Sequence, residues 1–284
     1  IRILQALGVN RARDCISKFG LNKDDLPPNL SMALGTATLT PMEIASAWTV
    51  FANGGFKVSP YIVQRIESRD GQVLYQANPP SIPHDGEQVQ AQPQPASTDA
   101  FGNDDPSQAK TTIEPAAAER VLDARTAYIM TSMLQDVIKR GTGRRALALK
   151  RDDLAGKTGT TNESKDAWFS GFNADFMTTV WVGFDQPESL GRAEYGGNVA
   201  LPIWMRYMGA ALKDKPSHLL PEPPGLVSLR IDPVTGRAAP PGTPGAYFEL
   251  FKNEDTPPSM NELAPGSTPG SGMPADEEAP IDLF

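Results

Sequence analysis

The chain has 284 residues, and 26 lysines and arginines against 34 aspartates and glutamates give a formal net charge of −8. This acidic balance argues against nucleic acid as the main partner, because phosphate binding needs a net basic face. A single cysteine and two histidines exclude an intrachain disulfide, a cysteine-based metal site and a histidine-rich metal centre.

The first 22 residues predict two short helices. Asn10 is predicted to cap the second helix and Gly20 to end it. Cys15 lies on the apolar stripe of that helix, so we expect a buried thiol that packs as a small hydrophobic side chain. A nucleophilic thiol would need a neighbouring base, and the surrounding sequence offers none.

A third helix is predicted from Thr40 to Asn53. Thr40 and Glu43 match the Thr-x-x-Glu capping box, with proline at the first helical position and two glycines after the end. Two alternating runs, 61–66 and 73–75, come next and are joined through an Asp-Gly pair. That pair is typical of a β-hairpin turn.

Residues 78–115 are rich in Pro, Gln, Ala, Asp and Ser, which predicts a disordered surface insertion. Helical spacing returns with Asp123 as N-cap and Gly141 as C-cap. Three strand-like segments and a final helix follow, at residues 154–161, 167–172, 177–184 and 199–212. A short turn joins the last two strands, so we expect them to pair antiparallel.

The end of the chain is rich in proline and glycine, with two short β-like pieces at 226–231 and 247–251. We divide the chain into a folded domain over residues 1–220, with the insertion at about 78–115, and a partly disordered extension over residues 221–284. Helices, then an antiparallel meander, then a returning helix indicate an α+β fold rather than an alternating α/β fold.

Residues 156–161 read Gly-Lys-Thr-Gly-Thr-Thr and are the sharpest feature of the sequence. A phosphate-binding loop is excluded, because Arg151 stands where its first glycine is required and because a strand, not a helix, follows. The segment 141–146 formally fits a dinucleotide fingerprint, but it follows a helix. A helix end and a turn explain its glycines.

A Lys-Thr-Gly triplet on a strand suits acyl transfer. Gly159 leaves room for a substrate backbone, which can pair with the strand edge, and a backbone N–H there can stabilise a tetrahedral oxyanion. Lys157 and Gly159 face one side of the strand while Thr158 and Thr160 face the other. We therefore expect a twist or local bend to bring them into one cleft. The alternative is a surface strand with an incidental lysine.

Lys-Thr-Gly is also one of three signatures of the penicillin-binding and serine β-lactamase fold. Further segments match the family in order and spacing: Leu-Pro-x-Asn-Leu-Ser-Met-Ala-Leu-Gly at 26–35, Thr-Pro-Met-Glu-Ile-Ala at 40–45, Phe-Ala-Asn-Gly-Gly at 51–55, Lys-Thr-Gly-Thr-Thr-Asn at 157–162, Asp-Ala-Trp-Phe-x-Gly-Phe at 166–172, and Gly-Gly at 196–197 before Ala-x-Pro-Ile-Trp at 200–204. Over about residues 1–212 the chain resembles the class A penicillin-binding proteins, of the bifunctional 1A type of Gram-negative bacteria. The resemblance implies their transpeptidase fold, an antiparallel sheet with packed helices, here incomplete at the N-terminus.

The resemblance also implies an activity, the D,D-transpeptidation of peptidoglycan through a serine acyl-enzyme. Lys157 and Thr160 are then the catalytic residues: the lysine supplies charge and assists proton transfer, and the Thr160 N–H forms half of the oxyanion hole. Thr158 and Thr160 bind the donor carboxylate, and Gly159 and Thr161 complete the substrate-binding strand. The implied partners are lipid II-derived stem peptides, β-lactams and the upstream part of the same protein. No nucleic acid, no membrane contact by this segment, no metal and no organic cofactor are implied.

The family's nucleophilic serine in S-x-x-K and its second serine in S-x-N do not stand in the required places. One literal S-x-x-K, from Ser107 to Lys110, lies inside the insertion without an apolar helix to fix the pair, so we interpret it as a chance match. By resemblance, Ile1 falls just after S-x-N. The nucleophile, a glycosyltransferase domain and a membrane anchor are therefore expected upstream, on the periplasmic side of the inner membrane, and this fragment alone is expected to be inactive.

Two other functions stay open. A non-catalytic stem-peptide-binding or scaffold module would be favoured by a degenerate upstream S-x-x-K. A D,D-carboxypeptidase or β-lactamase on the same fold is disfavoured by the proline-rich tail and by the class A segments. The choice of acceptor, an amine or water, separates the carboxypeptidase from the transpeptidase.

Overall fold

The computed structural model describes residues 1–83 and 116–259. Most of the predicted insertion lies outside the described residues, together with His84, the Ser107 to Lys110 match and the end of the C-terminal extension. Within the two described ranges, no helix is both long enough and apolar enough to cross a membrane.

The order of the elements confirms the α+β class. The α-helices are α1 (Arg2–Leu7), α2 (Val9–Ser17), α3 (Pro41–Ala52), α4 (Ala124–Lys139) and α5 (Ala200–Ala211). The strands are β1 (Phe56–Lys57), β2 (Arg65–Glu67), β3 (Val73–Gln76), β4 (Glu119–Arg120), β5 (Ala155–Thr160), β6 (Asp166–Phe172), β7 (Met177–Gly183), β8 (Leu226–Ile231) and β9 (Tyr247–Lys252). Strands β5, β6 and β7 form an antiparallel sheet in that order, while β1 pairs with β4, β2 with β3 and β8 with β9.

The three-stranded sheet separates two apolar clusters. On one face Phe169 lies against Trp204 of α5, with ring centroids 4.9 Å apart, and both side chains are fully buried. On the other face Phe172 packs against Trp48 of α3, with ring centroids 6.3 Å apart. Because successive side chains of a strand point to opposite faces, each position of β5 and β6 belongs either to the α5 side or to the α3 side.

Helix α4 lies beside the start of β5 and contributes to both clusters. Asp123 accepts a hydrogen bond from the backbone of the first turn, which confirms it as the N-cap. Leu134 packs in the α3-side cluster and Ile138 in the α5-side cluster. The second half of α4 therefore packs beside β5, the strand that carries Lys-Thr-Gly.

The structure confirms two short N-terminal helices but corrects two details. Gly8, not Asn10, precedes α2, so Asn10 lies inside the helix. Cys15 is exposed, so the prediction of a buried thiol is wrong. No residue of α2 is buried, because its neighbours are mainly α1 and a short 3-10 helix at Lys23–Asp25. An apolar stripe becomes buried only where another element covers it.

Helix α3 begins with the predicted capping box. The Thr40 N–H donates to the Glu43 carboxylate at 2.7 Å, and the Glu43 N–H donates to the Thr40 hydroxyl at 3.2 Å. The hairpin after α3 is also present, but β2 does not begin at residue 61 as predicted. The hairpin pairing ends with the hydrogen bond from the Ala77 N–H to the Gln64 carbonyl. Because β3 ends there, residues 61–63 have no partner strand in the described part of the chain.

Candidate active site

The Lys-Thr-Gly segment lies on β5, which pairs with β6 along one edge only. The Thr161 N–H donates to the Asp166 carbonyl at 3.1 Å, so these two residues form a hydrogen-bonded pair. In an antiparallel ladder such pairs occur at every second residue. The backbone groups of Lys157 and Gly159 therefore point toward β6, and those of Thr158 and Thr160 point away from it. Within the described residues, this second edge of β5 pairs with no strand and can accept an extended peptide.

Cross-strand partners assign the side chains to the two faces. Lys157 pairs with Ser170 and so lies on the α3 side, whereas Thr158 pairs with Phe169 and lies on the α5 side with Thr160. The sequence predicts a bend to reconcile these groups, but the length of the lysine is sufficient. Its Nζ reaches around the open edge and donates to the Thr158 carbonyl at 2.9 Å and to the Thr158 hydroxyl at 3.5 Å. The ammonium and the threonine hydroxyl therefore meet at the edge of the strand.

Thr142 is a further component of the site, and the sequence analysis missed it. Its hydroxyl lies 2.8 Å from the Thr158 hydroxyl. Thr142 stands between Gly141 and Gly143, and both glycine N–H groups donate to the carbonyl of Val137 in the last turn of α4. These two bonds confirm the predicted helix end and turn, although the C-cap residue is Arg140 and not Gly141. The sequence signal that could have predicted this residue is a polar side chain between two glycines that follow a helix.

Thr160 contacts the segment that leads into α5. The Gly196 N–H donates to the Thr160 hydroxyl at 3.1 Å. A Cβ atom at Gly196 would lie 2.3 Å from the Trp168 carbonyl oxygen and 2.6 Å from that of Gly159, so only glycine fits this close approach. Gly196 of the Gly-Gly pair therefore has a physical role, since it brings a backbone donor to the strand that carries Lys-Thr-Gly.

Thr161 lies at the end of the strand and takes part in the turn to β6. Its hydroxyl accepts a hydrogen bond from the Asp166 N–H at 2.8 Å, and its own N–H donates to the Asp166 carbonyl at 3.1 Å. These bonds close the β5–β6 connection. The role of Thr161 in substrate binding stays a prediction.

On the α3 side, Gly159 lies opposite Trp168. A Cβ atom at Gly159 would approach the Trp168 Cβ to 3.1 Å. Trp168 packs on Trp181 with ring centroids 6.1 Å apart, and the Trp181 indole N–H donates to Asp166 at 2.8 Å. The two partly exposed indoles form an apolar surface on the same face as Lys157.

A buried carboxylate fixes the start of β5. Asp153 accepts hydrogen bonds from the Arg151 guanidinium at 2.6 and 2.8 Å, from the Asn173 amide at 3.0 Å and from the His218 backbone N–H at 2.9 Å. Burial raises the pKa of Asp153, but these hydrogen bonds and the charge of Arg151 outweigh it, so that the pKa is lowered from the ordinary 3.8. Asp153 thereby ties β5 to the β6–β7 turn and to the segment after α5.

The edge of β5 combines an ammonium group, the hydroxyls of Thr158 and Thr160 and outward-pointing backbone N–H groups, with the Thr142 hydroxyl beside them. Such a set recognises a carboxylate and an extended backbone and can stabilise an oxyanion. Across residues 1–83 and 116–259, no group of three or more His, Cys, Asp or Glu side chains is arranged to hold a metal ion.

Comparison with known proteins gives the class to which this fold and site belong. The family model of the penicillin binding protein transpeptidase domain matches residues 1–209. The chain therefore belongs to the penicillin-binding protein transpeptidase family, which confirms the predicted fold.

Individual relatives narrow the class. The chain is 70% identical over its whole length to penicillin-binding protein 1A of Pseudomonas aeruginosa, of which it covers 36%. It is 44% identical to penicillin-binding protein 1A of Neisseria gonorrhoeae, covering 80% of this chain and 25% of that protein. The crystal structure of penicillin-binding protein 1A from Haemophilus influenzae matches with a TM-score of 0.74 and 35% identity over 92% of this chain and 39% of that one. The resemblance to the 1A type is confirmed, and the chain spans well under half the length of these relatives.

Proposed function

We propose that this chain forms part of the site of a peptidoglycan D,D-transpeptidase that works through a serine acyl-enzyme. The observation that carries the proposal is the edge of β5, where the Thr158 and Thr160 hydroxyls lie on one face and the Lys157 ammonium reaches the same edge. The family membership of the chain supports the reaction class.

In the proposed mechanism the donor stem peptide lies antiparallel or parallel to β5 as an added strand. Its terminal carboxylate accepts hydrogen bonds from the hydroxyls of Thr158 and Thr160. The reacting carbonyl oxygen then faces the outward-pointing Thr160 N–H, which supplies half of the oxyanion hole. Lys157 places a positive charge next to both groups and assists proton transfer. Gly159 keeps the strand surface open for the peptide.

The serine in this proposal is supplied from outside the 284 residues. Its oxygen attacks the carbonyl carbon between the two terminal D-Ala residues and forms an ester as the C–N bond breaks. The leaving amine takes a proton and departs as D-Ala. An amine of a second stem peptide then attacks the ester, an amide bond forms, and the serine oxygen regains its proton. A β-lactam would acylate the same serine because it mimics D-Ala-D-Ala.

The proposal includes the predicted partners and location. Stem peptides derived from lipid II and β-lactams would bind at the β5 edge, and the rest of the protein would complete the cleft around it. Such chemistry takes place on the periplasmic side of the inner membrane. No role for nucleic acid, a metal or an organic cofactor is part of the proposal.

The test is the rate at which a fluorescent penicillin acylates the full-length protein. Lys157→Ala should lower the second-order rate constant by about 100-fold or more, because general acid–base groups contribute that much. Thr160→Val keeps the backbone N–H and loses only the hydroxyl, so a drop of about tenfold is expected. Thr36→Val is the control, because it makes the same substitution at a threonine whose hydroxyl is also hydrogen-bonded, to that of Ser31 at 2.7 Å, but lies outside the site.

The outcomes separate the alternatives. If the unsubstituted protein binds stem peptide and is never acylated, the binding-module function replaces the enzyme. If acylation occurs and only water, never an added amine, accepts the acyl group, the protein is a carboxypeptidase. If Lys157→Ala and Thr36→Val behave alike, the β5 edge is not the site.

A further inference from the structure

The hairpin of β8 and β9, here called the C-terminal hairpin, lies beyond the residues that the family model matches, 1–209. It packs against α4 through β9. Two clusters of polar contacts join the hairpin to the helix, one at each helix end.

The first cluster is at the C-terminal end of α4. The Arg140 guanidinium donates to the Glu249 carboxylate at 3.1 Å and lies over the Tyr247 ring, 4.4 Å from its centroid. Arg140 also pairs with Asp136 one turn earlier. Arg140 is the C-cap residue, so the hairpin holds the residue at which the helix ends.

The second cluster is at the N-terminal end. Arg125 pairs with Glu254 at 2.8 Å, and Lys252 lies 3.8 Å from the N-cap residue Asp123. The two clusters are chemically alike: Arg140, at the end of α4, pairs with Glu249 of β9, and Arg125 of α4 pairs with Glu254, two residues after β9. Only the first is next to the candidate active site.

The distance between Arg140 and the site along the chain is short. Thr142 follows Arg140 by one intervening glycine, and its hydroxyl lies 2.8 Å from that of Thr158. The turn around Thr142 is held by two hydrogen bonds to the Val137 carbonyl. The position of Thr142 therefore depends on the last turn of α4 staying folded. Helix ends fray unless other groups hold them.

We propose that the C-terminal hairpin positions the active site: Glu249 and Tyr247 hold Arg140, and Arg140 sets the position of Thr142 against Thr158. Arg140, Glu249 and Tyr247 are positioning residues, since none of them touches the β5 edge. The proposal rests on the proposed function for its kinetic consequence but not for its structural one. Exposed ion pairs contribute little to the stability of the whole fold, so the effect is expected in the local order of the helix end and in recognition.

The experiment compares Glu249→Gln with Glu254→Gln in the full-length protein. β-Lactam acylation is resolved into the dissociation constant of the first complex and the acylation rate constant. We expect Glu249→Gln to raise that dissociation constant by about three- to tenfold. Glu254→Gln, which removes the equivalent pair at the other end of α4, should leave it within about twofold. Glu249→Asp keeps the carboxylate and should restore most of the wild-type value.

A second readout does not depend on catalysis. The Gly141 and Gly143 amides donate hydrogen bonds to the Val137 carbonyl at 3.1 and 2.9 Å. Their hydrogen exchange should be faster in Glu249→Gln and should not change in Glu254→Gln. Equal effects of the two variants on both readouts, or no effect of Glu249→Gln, would overturn the proposal. If the unsubstituted protein is not acylated, the proposed function fails, and the exchange rates still decide whether the hairpin holds the end of α4.

Discussion

The hydroxyl groups of Thr142 and Thr158 lie 2.8 Å apart and join the end of α4 to the open edge of β5. One hydroxyl hydrogen is used between them. The Lys157 ammonium, 3.5 Å from the Thr158 oxygen, has no acceptor role and can only donate. If Thr158 accepts from Thr142 and from Lys157, its own hydrogen is directed outward. In the proposed mechanism this arrangement would leave Thr158 ready to donate to an incoming carboxylate.

Replacing Thr142 with valine tests this arrangement. Valine has nearly the same shape but forms no hydrogen bond with Thr158, so the Thr158 hydroxyl loses its fixed orientation. We expect the dissociation constant of the first β-lactam complex to rise by about three- to tenfold, the size of one hydrogen bond. The measurement is the concentration dependence of the acylation rate in the full-length protein.

The control for this prediction is Thr142→Ser, which keeps the hydroxyl and loses only a methyl group. Its dissociation constant should stay within about twofold of the wild-type value. A Thr142→Val protein that binds β-lactams as tightly as wild type would show that Thr158 needs no partner on α4.

Close approach of backbone at Gly196 gives a second prediction. The Cβ of Gly196→Ala would lie 2.3 Å from the Trp168 carbonyl oxygen, and backbone atoms cannot move aside as a flexible side chain can. We expect a loss of about 1–3 kcal/mol in the local stability of the sheet, as for other overpacked sites. Hydrogen exchange of β5 and β6 measures it.

Gly209→Ala is the matched control, since this glycine lies within α5 and its Cβ would meet only the end of the Leu149 side chain at 3.2 Å. Alanine favours a helix over glycine by about 1 kcal/mol, so this variant should be neutral or stabilising. Similar protection in Gly196→Ala and in wild type would mean that the segment before α5 can shift away from β5 without cost.

Much of the fold follows from local signals in the sequence. The Thr40–Glu43 capping box, the Asp123 N-cap and the antiparallel pairing of β6 with β7 all depend on residues near one another in the chain, and the structure confirms them. The exposure of Cys15 was not predicted, because it depends on which elements cover α2 rather than on its own periodicity.

The site shows the same division between local and long-range information. Lys157 and Thr160 were found through a motif whose chemistry is local to one strand. Thr142 and Gly196 meet that strand across 16 and 36 residues of sequence separation, and only folding shows these contacts. The lysine that reaches around the strand edge was also beyond the sequence, because strand alternation predicts where a side chain starts and not where a long one ends.

The buried carboxylate of Asp153 predicts how the sheet responds to acid. Burial raises the pKa of Asp153, but its hydrogen bonds and the charge of Arg151 outweigh that effect. The folded-state pKa is therefore lowered from the ordinary 3.8. A lowered pKa means that the stabilisation is fully present above about pH 4 and is lost as the pH falls through the folded-state pKa. Protection of the start of β5 against hydrogen exchange should therefore be constant near neutral pH and fall in acid.

Asp153→Asn separates this group from the other carboxylates. It leaves the Arg151 guanidinium without its charged partner, and breaking a buried pair from one side costs about 3–5 kcal/mol. The variant should be less protected at pH 7 and should lose less further protection in acid than wild type does. Asp232→Asn provides the comparison, because Asp232 also has a lowered pKa but serves the turn after β8, away from β5. If both variants retain the acid response of β5, another carboxylate causes it.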